Sequence, residues 1–410
     1  MNLSKDSTVR MLPLRQRREN EEEILIGRPD VSLYILLPIP GVQIIEMLDQ
    51  GYTIGQVEEE MEKILGEYVD VVDFVNDLIH EHHFVHTVDG EVILETTNIK
   101  DHFPWISEKI GNFFFNKYAF ILYALLLLSG TALAISDSSY FPLYTDIFAY
   151  DSLTISLVLS VFFGWFFLFL HEMAHLMAAR SLGIGSRIGL SHRLIFMVAE
   201  TNMSNIVLLP HHKRYRAFLA GMAWDGAFFG IGIWLQFLSF HNYLPIPNEG
   251  IAFIKMINLI FLMNISFQFM IFMKTDIYYV ITTYFKCNNL LDNTKLYMRN
   301  LIFNNNDQKK EEWAYVSEHE KKIITRGYAW FFLLGAVWAI LFFTIYNLRQ
   351  LIEFIVRIIK NISDYPILSW PFADGVLLIT LALVPIVGVL WSWIRTSKIR
   401  RNQHLQRSVS

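Results

Sequence analysis

Six stretches of this sequence are apolar over roughly 20 residues, the length an α-helix needs to cross a bilayer core about 30 Å thick. They are residues 117–136, 153–178, 216–240, 251–273, 327–347 and 372–394. Hydrophobic side chains make up 53% of the chain, which is too many for an ordinary soluble domain. The sequence therefore predicts a mainly α fold, a polytopic membrane helical bundle of about six spans.

The basic residues of the connecting segments predict the orientation of these spans. Lys and Arg are concentrated in three regions: 179–215, 274–326 and the tail after Trp393. Segments 137–152 and 241–250 contain neither residue. Because cytoplasmic loops carry the excess of Lys and Arg, the chain is expected in a cell membrane with both termini in the cytoplasm. The motif "LIEFIVRIIK" within 348–371 predicts an amphipathic helix on the outer surface.

Residues 24–95 have a different pattern, which predicts a cytoplasmic α+β domain. "VSLYILLP" is typical of a strand, and three short helices with apolar faces follow it. The second helix begins with Thr53 and has Gln56 three residues on, the pattern of a capping box. "FVHTVDGEVILE" contains an Asp89-Gly90 turn and predicts a hairpin. Strand, three helices and hairpin together predict a winged helix-turn-helix.

Such a fold often binds DNA, but the charges of its helices exclude that function here. "TIGQVEEEMEKILG" has four Glu and one Lys, and "EYVDVVDFVNDLIH" has four acidic residues and no basic one. The phosphate backbone of a nucleic acid would repel both helices. We therefore expect no nucleic-acid partner.

The second predicted span ends in "FLFLHEMAHLMAAR", which carries three ionisable side chains. His171 and His175 are four residues apart, so they lie on one face of a helix and can bind one metal ion, with Glu172 beside them. In a chain with 13 His and 39 acidic residues among 410, this pattern would arise by chance roughly 0.04 times. The motif predicts a Zn2+ hydrolase site in which Glu172 is the general base.

A third protein ligand must come from elsewhere, and Asp276 is the candidate. The only cysteine is Cys287, so the site has to use His and carboxylate groups. The apolar stretch 251–285 would run about 52 Å as one helix, so it should break near Asp276. A helix cap at the membrane surface is the alternative role of Asp276.

Asp225, in the third span, is either a rival ligand or a polar group packed between helices.

"HEMAH" and "NISFQFMIFMKTDIYYV" together resemble the site-2 protease class of intramembrane zinc metalloproteases. "ETNMSNIVLLPHHKRYRAFLAGMAWDG" and "TDIYYVITTYFKCNNLLDNTKLYM" are similar to its peptide zinc metalloprotease subgroup. The resemblance implies that His171, His175 and Asp276 hold zinc and that Asn264 faces the active site. A hydrogen bond to substrate and simple helix packing are the two roles open to Asn264. Ile277 stands where the class usually has Gly, which departs from its pattern.

"YILLPIPGVQIIEMLDQGYTIGQVEEEM" and "DFVNDLIHEHHFV" resemble the PqqD-like peptide-recognition domain. In that family the leader of a ribosomally synthesised precursor peptide adds a strand to the sheet edge. The resemblance implies a precursor peptide as partner and peptide maturation as function. A purely structural cytoplasmic cap is the alternative for this domain.

The predicted function is proteolysis of a precursor peptide by an intramembrane zinc endopeptidase. Two alternatives stay open: cleavage of a membrane-bound regulator, and peptide binding without cleavage for export or immunity.

The predicted organisation of the chain has seven segments. They are a tail at 1–23, the recognition domain at 24–95, a linker at 96–116, the protease core at 117–285, a cytoplasmic connection at 286–326, two further spans at 327–394 and a basic tail at 395–410.

Overall fold

A computed structural model describes residues 3–19, 21–95, 101–193, 196–287, 289–302, 312–381 and 383. Most of these residues are helical. They divide into two compact units. The first unit holds the described residues up to Phe115, together with Leu176–His192 and Glu200–Ala217, and the second holds the other described residues.

The N-terminal part of the first unit contains six strands and three helices. In chain order they are β1 Val9–Met11, β2 Arg15–Arg18, β3 Glu23–Arg28, β4 Leu33–Pro38, α1 Ile39–Asp49, α2 Ile54–Leu65, α3 Val71–His80, β5 Val85–Val88 and β6 Glu91–Val92. The strands form two antiparallel sheets, of order β2-β3-β4 and β1-β5-β6. The predicted order of strand, three helices and hairpin is therefore confirmed.

Local sequence signals explain these elements. Thr53 and Gln56 form the predicted capping box at the start of α2. Asp89 and Gly90 both have positive φ angles, 50° and 85°, as the two-residue turn between β5 and β6 requires. The apolar faces of the helices meet in one core, whose fully buried members include Leu48, Val57, Leu78 and Phe84.

The prediction that residues 1–23 form a tail is wrong, because this segment supplies two strands. β1 pairs with β5, and Val9 on β1 is completely buried. β2 pairs with β3 along its whole length. The β2 sequence, "RQRR", has no apolar alternation, so its strand depends on the pairing with β3 rather than on its own pattern.

Apart from short 3-10 turns, the main remaining elements are helices, together with the strand pair β7 and β8. They are α4 Glu108–Phe114, α5 Lys117–Ser136, α6 Leu153–Arg180, β7 Arg187–Arg193, β8 Phe196–Asn202, α7 His211–Phe218, α8 Ala220–Phe240, α9 Asn248–Gln268, α10 Asp276–Phe285, α11 Leu290–Ile302, α12 Glu318–Ser363 and α13 Trp370–Leu381. α12 includes two π-helical segments, Ile324–Tyr328 and Phe343–Leu348.

Four of these helical segments are long and apolar enough to cross a membrane, counting only the described residues. They are Glu108–Ser136, Leu153–Arg180, Asn248–Gln268 and Glu318–Ser363. A fifth results if α7 and α8, which are bent by 42° relative to each other, form one span. About half of the predicted window 372–394 lies outside the described residues, which cover it at 372–381 and 383. The described part of the chain thus has four to five candidate spans, compatible with a membrane protein.

Helix α12 is longer than the sequence predicts. It is continuous over 46 residues, or roughly 69 Å, so it exceeds the thickness of one bilayer core. The amphipathic stretch predicted as a separate surface helix is the last third of this helix. No Pro or Gly lies between residues 336 and 363 to interrupt it, which is why the helix continues past the predicted end of the span.

The N-terminus of α6, the helix that carries His171 and His175, is capped by a distant carboxylate. Asp374 on α13 accepts hydrogen bonds from the Ser152 hydroxyl at 2.7 Å and from the backbone N–H groups of Leu153 at 2.7 Å and Thr154 at 3.2 Å. Asp374 is only 1% exposed. This capping satisfies donors that the first turn of a helix leaves unpaired.

Replacing Asp374 by Ala is expected to lower the free energy of unfolding by about 1–3 kcal/mol, because buried donors lose their acceptor. Thermal unfolding of the purified protein in detergent would show a lower midpoint. Asp151→Ala, at an exposed carboxylate next to Ser152, is the matched control and should leave the midpoint unchanged. Equal midpoints for the two variants would contradict this role.

Candidate metal centre

Helix α6 brings the two predicted histidine ligands together. His171 and His175 are one turn apart and both are buried, with 3% and 2% of their surface exposed. Their Nε2 atoms are 3.1 Å apart, and their rings lie at 70° to each other. The predicted juxtaposition of two imidazole nitrogens is therefore present.

A break between α9 and α10 positions Asp276. α9 ends at Gln268, a short 3-10 turn follows, and α10 begins at Asp276. Lys274 takes the left-handed conformation at this break, with a φ of 54°. The predicted interruption of the apolar stretch is confirmed. A Gly at position 277 is not needed, because the left-handed residue lies three positions earlier.

The side chain of Gln268 holds this break in place. Its Oε1 accepts the backbone N–H of Asp276 at 3.0 Å, while its backbone carbonyl accepts the Thr275 hydroxyl at 2.7 Å. Thr275, not Asp276, is the N-cap residue of α10. The side chain of Asp276 therefore does not act as the helix cap, which was its alternative role.

The carboxylate of Asp276 contacts both histidines. Its Oδ2 is 3.0 Å from His171 Nε2 and 3.1 Å from His175 Nε2. These three side chains form the only group of three or more His, Cys, Asp or Glu residues with metal-ligand spacing in the part of the chain that the structure describes. Two helices, α6 and α10, thus supply two nitrogens and one oxygen to a common point.

Asp225 on α8 has a role that the sequence does not predict. It is 1% exposed, and its Oδ2 lies 2.7 Å from His171 Nδ1. It contacts the far side of the imidazole from Asp276, so it is neither a third ligand nor only a packing group. Metal-ligating histidines commonly donate their other N–H to a carboxylate in this way. Placing a carboxylate within a membrane span is energetically costly. The presence of an Asp in this predicted span is therefore the sequence feature that indicates a partner for it.

These contacts determine what the centre could hold. A neutral His171 that donates Nδ1–H to Asp225 has its lone pair on Nε2. That lone pair faces the Asp276 carboxylate, an arrangement that is unfavourable unless a proton or a metal cation lies between the two groups. Two imidazole nitrogens and one carboxylate oxygen are a donor set typical of catalytic zinc. The residues present therefore fit a zinc ion.

Close packing of α8 against the histidines leaves no room for a side chain at Gly221. A Cβ atom there would lie 2.4 Å from His171 Nε2 and 2.5 Å from its Cε1. The helix that carries Asp225 is thus in direct contact with the ring that Asp225 orients. The sequence "AGMAWDG" contains both residues, yet which helix they contact depends on tertiary packing.

The other two predicted site residues, Glu172 and Asn264, lie on α6 and α9. Glu172 is buried, with 6% exposure, and lies directly after His171 on α6. Asn264 is half-buried on α9, and its Nδ2 has no hydrogen-bond partner among the described residues. The hydrogen bonds of the centre involve His171, His175, Asp276 and Asp225 and do not include Asn264. Its predicted contact with substrate stays a prediction.

Asp225→Ala is expected to weaken zinc binding by about 10- to 100-fold, the usual effect of removing the carboxylate behind a histidine ligand. Asp225→Asn keeps an acceptor for His171 Nδ1–H, so its loss of zinc affinity should be near the lower end of that range. Competition with a chromophoric chelator on the purified protein measures both affinities. Asp151→Asn, at an exposed site, is the control, and an unchanged affinity in Asp225→Ala would contradict the orienting role.

Comparison of the chain with family models, with curated proteins and with solved structures gives no significant match.

Proposed function

We propose that the protein is an intramembrane zinc endopeptidase that matures a ribosomally synthesised precursor peptide. One observation carries the proposal: His171, His175 and Asp276 converge within 3.0–3.1 Å of one another, and Glu172 follows the first ligand directly. A binding site alone needs ligands but no adjacent base. The pairing of a zinc donor set with a neighbouring carboxylate favours hydrolysis.

The candidate spans and the basic connections support the proposed placement in the membrane. The proposal is a bundle of about six spans in a bacterial cytoplasmic membrane, with both termini inside. His171 and His175 lie near the end of α6 that leads into the basic connection 179–215. The bond would accordingly be cut in the cytoplasmic half of the bilayer.

The residues of the centre have distinct chemical roles in this proposal. Zinc, when held by His171, His175 and Asp276, supplies a Lewis acid that polarises the scissile carbonyl. Glu172 accepts a proton from the attacking water and returns it to the leaving amine. Asp225 holds His171 in the tautomer whose Nε2 carries the lone pair. Burial of the ligands limits the access of bulk water.

The N-terminal domain supports a peptide as the substrate. We interpret it as a winged helix-turn-helix of the PqqD-like kind. β4 lies at the end of its sheet and pairs only with β3 among the described strands. An extended leader peptide can add to such an edge through backbone hydrogen bonds. The acidic helices α2 and α3 disfavour nucleic acid as the partner of this domain.

Metal removal and restoration in lipid nanodiscs would test this proposal. The full-length protein is mixed with each short peptide encoded near its gene, and products are identified by mass spectrometry. A fragment should form with zinc, disappear after chelation and return when zinc is restored. The same peptide without its leader should be cut at least about tenfold more slowly.

Other outcomes would contradict parts of the proposal. A fragment that persists after chelation would exclude zinc chemistry. Cleavage of membrane-tethered regulators but of no precursor peptide would favour regulatory proteolysis. Tight peptide binding without any fragment, in zinc-loaded protein, would favour a role in export or immunity.

A further inference from the structure

A cavity of about 560 Å³ lies within the first unit, separate from the metal centre. Its volume falls in the range of roughly 300–1,000 Å³ that is usual for small-molecule sites. Three segments contribute to it: the helix α4, the residues directly after α6, and the stretch from Leu209 to Arg216, which includes most of α7. The lining residues are Glu108, Asn112, Ser181, Leu182, Leu209, His212, Lys213 and Arg216.

The position of these segments along the chain places the cavity at one surface of the membrane. Glu108 begins the first candidate span, Ser181 follows the end of the second, and α7 begins the bent third one. In successive spans, the start of the first, the end of the second and the start of the third lie on the same side. That side carries the basic connection 179–215, so the cavity lies at the depth of the cytoplasmic headgroups.

The basic side chains of the cavity are arranged to receive a phosphate. Arg216 Nη1 donates to Asn112 Oδ1 at 3.1 Å and to Ser181 Oγ at 3.3 Å, which fixes the guanidinium. Both bonds use Nη1, so Nε and Nη2 can donate to a ligand. Lys213 is three residues earlier on α7, hence on the same face, and is exposed. A fixed guanidinium with a nearby ammonium is a typical phosphate-binding arrangement.

The carboxylate of Glu108 makes the cavity different from a purely anion-binding one. A site for a simple phosphate or an anionic headgroup would be weakened by a carboxylate in its lining. A headgroup that carries both a phosphate and a primary ammonium satisfies both signs of charge. We propose that this cavity binds the headgroup of an aminophospholipid, with Arg216 and Lys213 at the phosphate and Glu108 at the ammonium.

This inference rests on the proposed membrane placement and not on the proposed proteolysis. A choline headgroup has no N–H to donate to Glu108, and a glycerol headgroup has no cation. The chemistry therefore distinguishes phosphatidylethanolamine from phosphatidylcholine and phosphatidylglycerol. A soluble phosphoethanolamine has the same charged groups but lacks acyl chains.

Native mass spectrometry of the full-length protein in detergent, titrated with each of these three lipids, tests the proposal. Phosphatidylethanolamine should bind with an apparent Kd at least about tenfold lower than phosphatidylcholine. Arg216→Gln and Lys213→Gln should each reduce this binding severalfold, whereas Lys295→Gln, at an exposed lysine outside the cavity, should not. Glu108→Gln should remove the preference over phosphatidylglycerol while phosphate binding remains.

Specific outcomes would overturn the proposal. Equal retention of the three lipids by wild-type protein would exclude headgroup recognition. Unchanged binding in Lys213→Gln, a variant at an exposed position that cannot perturb folding strongly, would exclude the phosphate contact. Equally tight binding of soluble phosphoethanolamine would show that a free phosphate compound, not a lipid, is the ligand. Glu172→Gln should bind lipid as wild type does, so failure of the proteolysis proposal stays distinguishable.

Discussion

Replacing Glu172 by Gln is expected to slow peptide cleavage by about 10²- to 10⁴-fold while the zinc content stays unchanged. Gln has the shape of Glu but cannot accept a proton from water at neutral pH. The proposed metal donors are His171, His175 and Asp276, so the ligand set remains complete in this variant. The loss should appear in the rate of the chemical step rather than in peptide binding.

Single-turnover cleavage at saturating peptide measures this rate, and elemental analysis of the same sample gives the zinc content. Glu249→Gln is a suitable control, because Glu249 is exposed in the first turn of α9. A Glu172→Gln variant that retains more than about a tenth of the rate would show that another group is the base. Loss of zinc from this variant would instead show that Glu172 holds the metal.

The parts of the metal centre that follow from local geometry are predictable from the sequence. The helical repeat alone places His171 and His175 on one face of α6. The length of the apolar stretch requires a break near Asp276, and the break is found between Gln268 and Asp276. These predictions succeed because each depends on a single element and a fixed dimension of the helix or the bilayer.

The role of Asp225 could not be predicted in the same way. Its contact with His171 Nδ1 joins residues that are 54 positions apart, on two different helices. Which face of α8 meets α6 is decided by tertiary packing, including the direct contact of Gly221 with the imidazole. The hydrophobic pattern of α8 carries little information on this point, since the helix is apolar on all sides.

The errors in the fold have a similar cause. β1 and β2 are three and four residues long, and each is stabilised by pairing with another strand: β1 with the distant β5, and β2 with the next strand, β3. Short strands of this kind have too few residues for an alternating pattern to be recognised. The helices α2 and α3, by contrast, carry their own caps and apolar faces. The sequence predicts both helices.

In the proposed zinc centre, Asp276→Ala is expected to reduce zinc occupancy to nearly none at submicromolar free zinc. The two remaining imidazoles would lack the anionic donor that offsets the charge of the metal. The fold around position 276 should persist, because the Thr275 hydroxyl and the backbone N–H of residue 276 still bond to Gln268. Elemental analysis and circular dichroism of the purified variant test both expectations.

Asp292→Ala is the matched control, since Asp292 is an exposed carboxylate that pairs with Lys274 at the same break. Zinc retained by Asp276→Ala would mean that another carboxylate completes the site. The comparison with Asp225→Ala separates a ligand from a residue that orients one. Both variants should lose zinc at low concentration, but excess zinc should restore cleavage only in Asp225→Ala, because only that variant keeps all three donors of the centre.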